Sequence, residues 1–270
     1  MNRPCPVAPG LELADGVRLD ALLGRGGLCE VWRATTRGNE VVALKIPRTD
    51  RLPSSAVELI RREYRVLGSL SHPNILVPLG LIAVAETPAL MTEYLGGGDL
   101  VPLLGSAPRH WVGAAGDLAR ALVHVHERGL VHRDVKSCNF LFSAAGDAKL
   151  VDFALAVEVG AEGPRSGGTL AYERLARRQG TRPEVADDVY AFSVMLYELL
   201  AGRLPFGVNP TVAMLQAEPS PPLASPRDAG AGAEALAELV VATLSYGKGP
   251  APGSVRPFLD VLESMSLEYE

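Results

Sequence analysis

The sequence has no surplus of positive charge: 26 Lys and Arg stand against 31 Asp and Glu, a formal net charge of −5 over 270 residues. A general nucleic-acid binder needs a basic footprint, so that class is not expected. Long apolar runs are also missing. The longest uncharged apolar stretch, residues 75–85, contains Pro78 and falls well short of the roughly 20 residues a membrane helix requires, so no membrane partner is expected. Residues 1–10 hold one Arg and three Pro but no apolar segment; they do not read as a secretory leader, and residues 1–15 are expected to be a flexible tail. Cysteine is scarce. Cys5, Cys29 and Cys138 are odd in number and widely spaced, which gives neither a disulfide framework nor a zinc-ligand pattern and points to a reducing, cytoplasmic setting.

The chain has ordinary globular make-up, 47% apolar and 21% charged, at a length that suits one large domain or two lobes. Short β-branched runs separated by turns occupy 18–23, 29–34, 41–46, 75–81 and 89–92, interrupted by one helix. From Leu100 onward the pattern turns helical, around 111–128, 187–200 and 233–245, with a hairpin near 140–151. The change falls at Gly96-Gly97-Gly98, a predicted hinge. Residues 218–232, rich in Pro, Ala, Ser and Gly, read as a surface loop.

Three groups of residues carry chemistry. Gly24, Gly26 and Gly27 lie in a turn between two strands. Glycines there let backbone N–H groups approach a phosphate, although a plain hairpin would use them too. Lys45 ends the strand Val41-Val42-Ala43-Leu44, and in the following helix Ser55 and Glu58 form an expected capping box. Leu59, Ile60, Tyr64, Val66, Leu67 and Leu70 trace an apolar arc with Glu63 at its centre. A carboxylate on a core face needs a cation, and Lys45 is the candidate; the alternative is a glutamate at a mobile helix edge. The third group is His132-Arg133-Asp134-Val135-Lys136-Ser137-Cys138-Asn139 and Asp152. The hairpin between them brings Asn139 and Asp152 to its open end, where an amide oxygen and a carboxylate suit Mg²⁺. Asp134 and Lys136 offer a proton acceptor for a hydroxyl and a cation for a phosphoryl group.

Taken together these residues resemble the eukaryotic-like protein kinases over about 18–262: the glycine-rich turn with Val31, Val42-Ala43-Leu44-Lys45, Glu63, His72-Pro73-Asn74-Ile75, His132-Arg133-Asp134 through Asn139, and Asp152-Phe153. The resemblance implies an α+β, two-lobe kinase fold within 16–265: a β-rich N-lobe with one regulatory helix over 16–95 and a mainly helical C-lobe over 96–270. It implies a protein serine/threonine kinase using ATP with Mg²⁺ or Mn²⁺ and a protein Ser/Thr acceptor, or alternatively a pseudokinase scaffold that binds nucleotide or partners without efficient turnover. It further implies that Gly24, Gly26, Gly27, Val31, Ala43, Lys45, Thr92 as gatekeeper, the backbones of Glu93 and Leu95, and Leu141 contact the nucleotide. Asp134, Lys136, Lys45 and Glu63 would be catalytic, Asn139 and Asp152 would hold metal, and Asp188 would brace the catalytic loop.

Departures from the family pattern are Cys29 at the third glycine, Ala154 after Asp152-Phe153, and Gly168-Thr169-Leu170-Ala171-Tyr172 running directly into Glu173. The last reads as a shortened substrate wall, with Glu173 expected to pair with Arg256. Ser166 is the one hydroxyl between Ala154 and Gly168; either its phosphate would pair with Arg133 or it is a plain solvated residue. Arg174, Arg177, Arg178 and Arg182 read as a solvated helix face, the alternative being a patch that attracts acidic substrates.

Overall fold

A computed structural model of the chain describes residues 7–13, 15–48, 53–84, 86–161, 168–209, 231–245 and 252–269. The chain divides into two compact units, Met1–Ser71 with Ile75–Gly96, and His72–Asn74 with Gly97–Glu270.

The first unit is built on a five-stranded antiparallel sheet in the order β1-β2-β3-β5-β4. The strands are β1 (Arg18–Arg25), β2 (Cys29–Thr35), β3 (Val41–Pro47), β4 (Pro78–Val84) and β5 (Thr87–Glu93). Alternation along β3 sends Val42, Leu44 and Ile46 into a core with Leu19, Trp32, Ala34, Val84 and Ala89. By the same two-residue period Ala43 and Lys45 belong to the opposite face. Register puts Val31 opposite both Gly24 and Lys45, and Ala43 opposite Thr92. Five of the residues expected to contact nucleotide therefore share one sheet face. Residues 8–13 are not a loose tail: Leu13 N–H donates to Val17 O at 2.8 Å, Gly10 N–H to Leu19 O at 2.8 Å, and Leu11 packs on the core.

Helix α1 runs Pro53–Gly68. It begins two residues before Ser55, so Ser55 is inside the helix and the expected capping box is not its start; proline is well placed to open a helix because its missing N–H would have no partner there. Ala56, Ile60, Glu63 and Leu67 form its buried stripe, whereas Arg61 and Arg65 are exposed. The fourth strand begins at Pro78, three residues later than its sequence suggests. Residues 72–74 are instead committed to the second unit, where Asn74 Nδ2 donates to Ala148 O at 2.9 Å and Asn74 O accepts from Leu150 N–H at 2.9 Å.

The second unit contains α2 (Val112–Glu127), the paired strands β6 (Leu130–Val131) and β9 (Val157–Glu158), and the hairpin β7 (Phe140–Phe142) with β8 (Ala148–Leu150). It continues with α3 (Leu175–Arg178), α4 (Val185–Ala201), α5 (Ala231–Leu244) and α6 (Arg256–Leu267). Helix α4 is buried almost all round, from Asp187 to Leu199, as expected of a helix at the centre of its unit. It packs against α5, and α2 packs against α6. Gly97, read as a hinge, has a steric reason: a Cβ there would lie 2.6 Å from Ser143 O. The loop expected over 218–232 lies outside the described residues except for its last two positions, which belong to α5.

Phe258 of α6 is fully buried and meets Phe192 of α4 edge to face at 5.9 Å between ring centroids. Phe258→Ala is expected to destabilise the protein by about 3–5 kcal/mol, measured as a lower urea midpoint at unchanged slope.

Candidate active site

In the first unit, the buried stripe of α1 forces the electrostatics. Glu63 is 1% exposed, and its Oε2 accepts a hydrogen bond from Lys45 Nζ at 2.7 Å. An ion pair this enclosed is weak evidence of net stability, but removing one partner strands the other charge at a cost of about 3–5 kcal/mol. The pair thus fixes the ammonium of β3 against α1. At the β1–β2 turn, Gly26 N–H closes on Cys29 O at 2.8 Å. A Cβ on Gly24 or Gly27 would meet nothing within 4 Å, and neither has a left-handed backbone. The hairpin itself does not demand glycine at these two positions. Thr92 is buried and donates to Glu93 O at 3.0 Å; Glu93 N–H donates to Val77 O at 3.1 Å. Leu95 is half-buried.

In the second unit, the loop 132–139 is organised from beneath by Asp188, which is fully buried at the start of α4. Its Oδ2 accepts from His132 N–H at 2.7 Å and its Oδ1 from Arg133 N–H at 2.8 Å, while His126 Nε2 lies 2.9 Å from Oδ2. Burial pushes this carboxyl up, but the hydrogen bond and charge of His126, with His132 and the Arg133 N–H, outweigh it and hold Asp188 below the usual range. The gripped N–H groups sit where Arg133 takes a left-handed backbone, φ 71°, a conformation costly for a residue with a Cβ. His132 Nδ1 accepts from Asp134 N–H at 3.3 Å and its Nε2 lies 3.1 Å from Val151 O. This pattern assigns the ring proton to Nε2. The ring stacks edge-on against buried Phe153 at 4.6 Å.

Above this base stand the polar groups. Asp134 Oδ2 accepts from Lys136 Nζ at 2.7 Å and from Asn139 Nδ2 at 2.8 Å. Lys136 Nζ also donates to Thr169 Oγ1 at 3.1 Å. Asn139 Nδ2 makes a further bond to Asp134 O at 2.7 Å, so its nitrogen is committed and its oxygen is the atom a hard cation would take. Asn139 immediately precedes β7, and Val151 N–H donates to Asn139 O at 3.0 Å one residue before Asp152. Asp152 has φ 62°, also left-handed. Among the described residues no cluster of three or more His, Cys, Asp or Glu side chains forms a metal cage. The Asn139 amide oxygen and the Asp152 carboxylate are hard donors of the kind that would suit Mg²⁺, which takes one or two protein oxygens and completes its shell with phosphate and water. Leu141 is half-buried in β7, opposite Lys149.

Gly168 is a glycine for a close approach: at φ 116°, a Cβ would lie 3.0 Å from Arg133 O. Beyond it, Thr169 reaches Lys136, and Tyr172 donates to Glu198 Oε2, which also accepts from Ser137 Oγ at 3.0 Å. Burial and that bond to Glu198 push the Tyr172 phenol well above its usual range. The sequence does not mark Thr169, Ser137, Tyr172 and Glu198 as a set; Glu198 alone carries a signal, as the one charge in the stretch 189–201 of α4.

Two expectations are corrected. Glu173 does not pair with Arg256: its nearest cation is Arg178 at 4.0 Å, and Arg256 pairs with Glu127 on α2. Of the arginines after Tyr172, Arg182 is exposed, but Arg174, Arg177 and Arg178 are not a solvated helix face. Arg174 contacts Asp187 and Glu184, Arg177 is buried and donates to Thr181 O, and Arg178 donates to Leu170 O. A four-residue helix, α3, is too short to present them on one exposed side. Cys29 is half-buried and Cys138 exposed; partial desolvation holds the Cys138 thiol above its usual value, against ready thiolate chemistry. Ser166 lies outside the described residues.

The model of the protein kinase domain matches residues 17–221. The chain belongs to the protein kinase family. It is 35% identical over 83% of its length to the DNA damage-responsive serine/threonine-protein kinase RqkA of Deinococcus radiodurans, of which it covers 35%. It is 31% identical over 96% of its length to the serine/threonine-protein kinase pkn3 of Myxococcus xanthus, of which it covers 51%. Against the serine/threonine-protein kinase Aurora-1 of Arabidopsis thaliana it is 33% identical over 68% of its length, covering 65% of that protein. The chain thus spans about half or less of the two bacterial kinases. Within this kinase domain no described helix is long and apolar enough to cross a membrane.

Replacing Asp188 by Asn removes the charge that serves two backbone donors and His126. The expected cost is about 3 kcal/mol at pH 7, measured by urea unfolding. Because the native carboxyl is held low, its contribution is complete above the unfolded value of about 3.9 and is lost as pH falls through the native one. The gap between wild type and Asp188→Asn is therefore expected to close in acid.

Proposed function

We propose that the chain is the catalytic domain of an ATP-dependent protein serine/threonine kinase, acting in the cytoplasm with Mg²⁺ or Mn²⁺. The observation that carries this reading is the arrangement at Asp134, whose Oδ2 is held by Lys136 and Asn139. With Oδ2 occupied and only a 3.5 Å contact from Thr169 at Oδ1, Oδ1 is the oxygen to accept the proton of an acceptor hydroxyl. The hydroxyl oxygen forms its bond to the γ-phosphorus as the bond from that phosphorus to the β–γ bridging oxygen breaks, and ADP leaves. Lys136 supplies a positive charge beside the transferring group, and Lys45, oriented by Glu63, serves the α- and β-phosphates. Asn139 and Asp152 would hold the divalent ion, which when bound neutralises phosphate charge.

A pseudokinase reading has less behind it. Ala154 lies in a 3₁₀ turn, Phe153–Leu155, closed by Ala156 N–H on Phe153 O; it alters a backbone freedom and removes no polar group. The three relatives named above are each called a serine/threonine-protein kinase.

The test is phosphate incorporation into the protein itself and into dephosphorylated casein with Mg²⁺, read by mass spectrometry. Asp134→Asn is expected to lower transfer by at least about 10²-fold while ATP affinity stays within about twofold. Undiminished transfer by that variant would overturn the assignment.

A further inference from the structure

The segment that follows Gly168 is expected, by family resemblance, to be anchored through Glu173 and Arg256, yet these two are not paired here. What anchors it instead is visible at the next residue. Arg174 Nε donates to Asp187 Oδ1 at 2.8 Å, and its Nη2 donates to Glu184 Oε2 at 2.7 Å. Asp187 is buried, and Arg174 is largely enclosed, with 20% of its side chain exposed. The two acids do more than receive the guanidinium. Glu184 and Asp187 form the reciprocal capping box that opens α4, with Asp187 Oδ2 accepting from Glu184 N–H at 2.9 Å. Arg177 approaches the same Asp187 at 3.8 Å. Asp188, the next residue along, holds the backbone of His132 and Arg133. One helix start thus grips the loop bearing Asp134 with one carboxylate and the segment bearing Thr169 and Tyr172 with its neighbour.

We propose that Arg174 is a positioning residue. By forking onto Asp187 and Glu184 it sets the segment 168–174 against the Asp134 loop and so shapes where a protein acceptor docks, taking the place of the absent Glu173–Arg256 pair. This rests on the kinase reading above for its consequence in turnover, but not for its geometry. The planar guanidinium meets two carboxylates with two different nitrogens, a task a single ammonium cannot repeat. Arg174 touches neither nucleotide phosphates nor the reacting hydroxyl in this role; it acts through Thr169, which reaches Lys136 and Asp134, and through Tyr172.

The experiment compares wild type, Arg174→Gln, Arg174→Lys and Arg256→Ala in two measurements. In steady-state kinetics with dephosphorylated casein, Arg174→Gln is expected to raise the casein KM about tenfold while the ATP KM and acceptor-free ATP hydrolysis stay within about twofold. Arg174→Lys should fall between, and Arg256→Ala should match wild type. In amide hydrogen exchange, protection over 168–174 should fall about tenfold in Arg174→Gln and be unchanged in Arg256→Ala. Unchanged exchange and an unchanged casein KM in Arg174→Gln would overturn the proposal, as would an equal fall in casein phosphorylation and ATP hydrolysis, the mark of a merely structural residue. Loss of casein affinity in Arg256→Ala would overturn it too. If the wild type transfers no phosphate, the kinase reading fails, and the exchange measurement still decides the role of Arg174.

Discussion

The Asp188 carboxylate, taken out of water at the first turn of α4, is the constraint on which the second unit is arranged. A buried charge is tolerated only when its lone pairs are filled, and here they are filled by two successive backbone N–H groups and an imidazole. Because those donors belong to His132 and Arg133, satisfying the charge also fixes the direction in which the chain leaves for Asp134. His132 extends the constraint through Val151 and Phe153 toward Asp152. An electrostatic requirement deep in the fold thereby sets where the polar side chains stand.

The same helix start serves the segment beyond Gly168 through Asp187, and α4 serves it again eleven residues on through Glu198, which receives both Tyr172 and Ser137. Burial raises the Asp187 carboxyl while the Glu184 N–H and Arg174 draw it back, so its ion pairs work against desolvation and specify geometry more than they add stability. In the first unit a comparable logic holds Lys45: apolar packing of α1 encloses Glu63, and the enclosed charge then fixes its cation.

Much of this was legible in the sequence where one period or one charge decided the matter. The stripe of α1 exposed Glu63 as an anomaly, the need of that carboxylate for a cation pointed to Lys45, and the hairpin between Asn139 and Asp152 followed from two short apolar runs flanking a turn. The start of β4 was not legible, because residues 72–74 answer to hydrogen bonds with the strand Ala148–Leu150, far away in sequence. Nor was the fate of the arginines after Tyr172. Local charge looked like solvation, and only the fold brings Asp187 and Glu184 to Arg174. Gly97 shows the converse, a glycine that reads as freedom but is there because Ser143 O leaves no room for a side chain.

The left-handed backbone at Arg133 has a cost that runs through the design. A side chain there carries about 1–3 kcal/mol of conformational penalty, repaid by the grip beneath it, so the protein surrenders foldedness to keep this loop in one shape. A glycine at the position would relieve the penalty and also slacken the loop, trading a sturdier chain for a blurrier site. Attempts to harden this molecule against heat are therefore better directed at surfaces remote from that bend than at the most visibly strained residue in it.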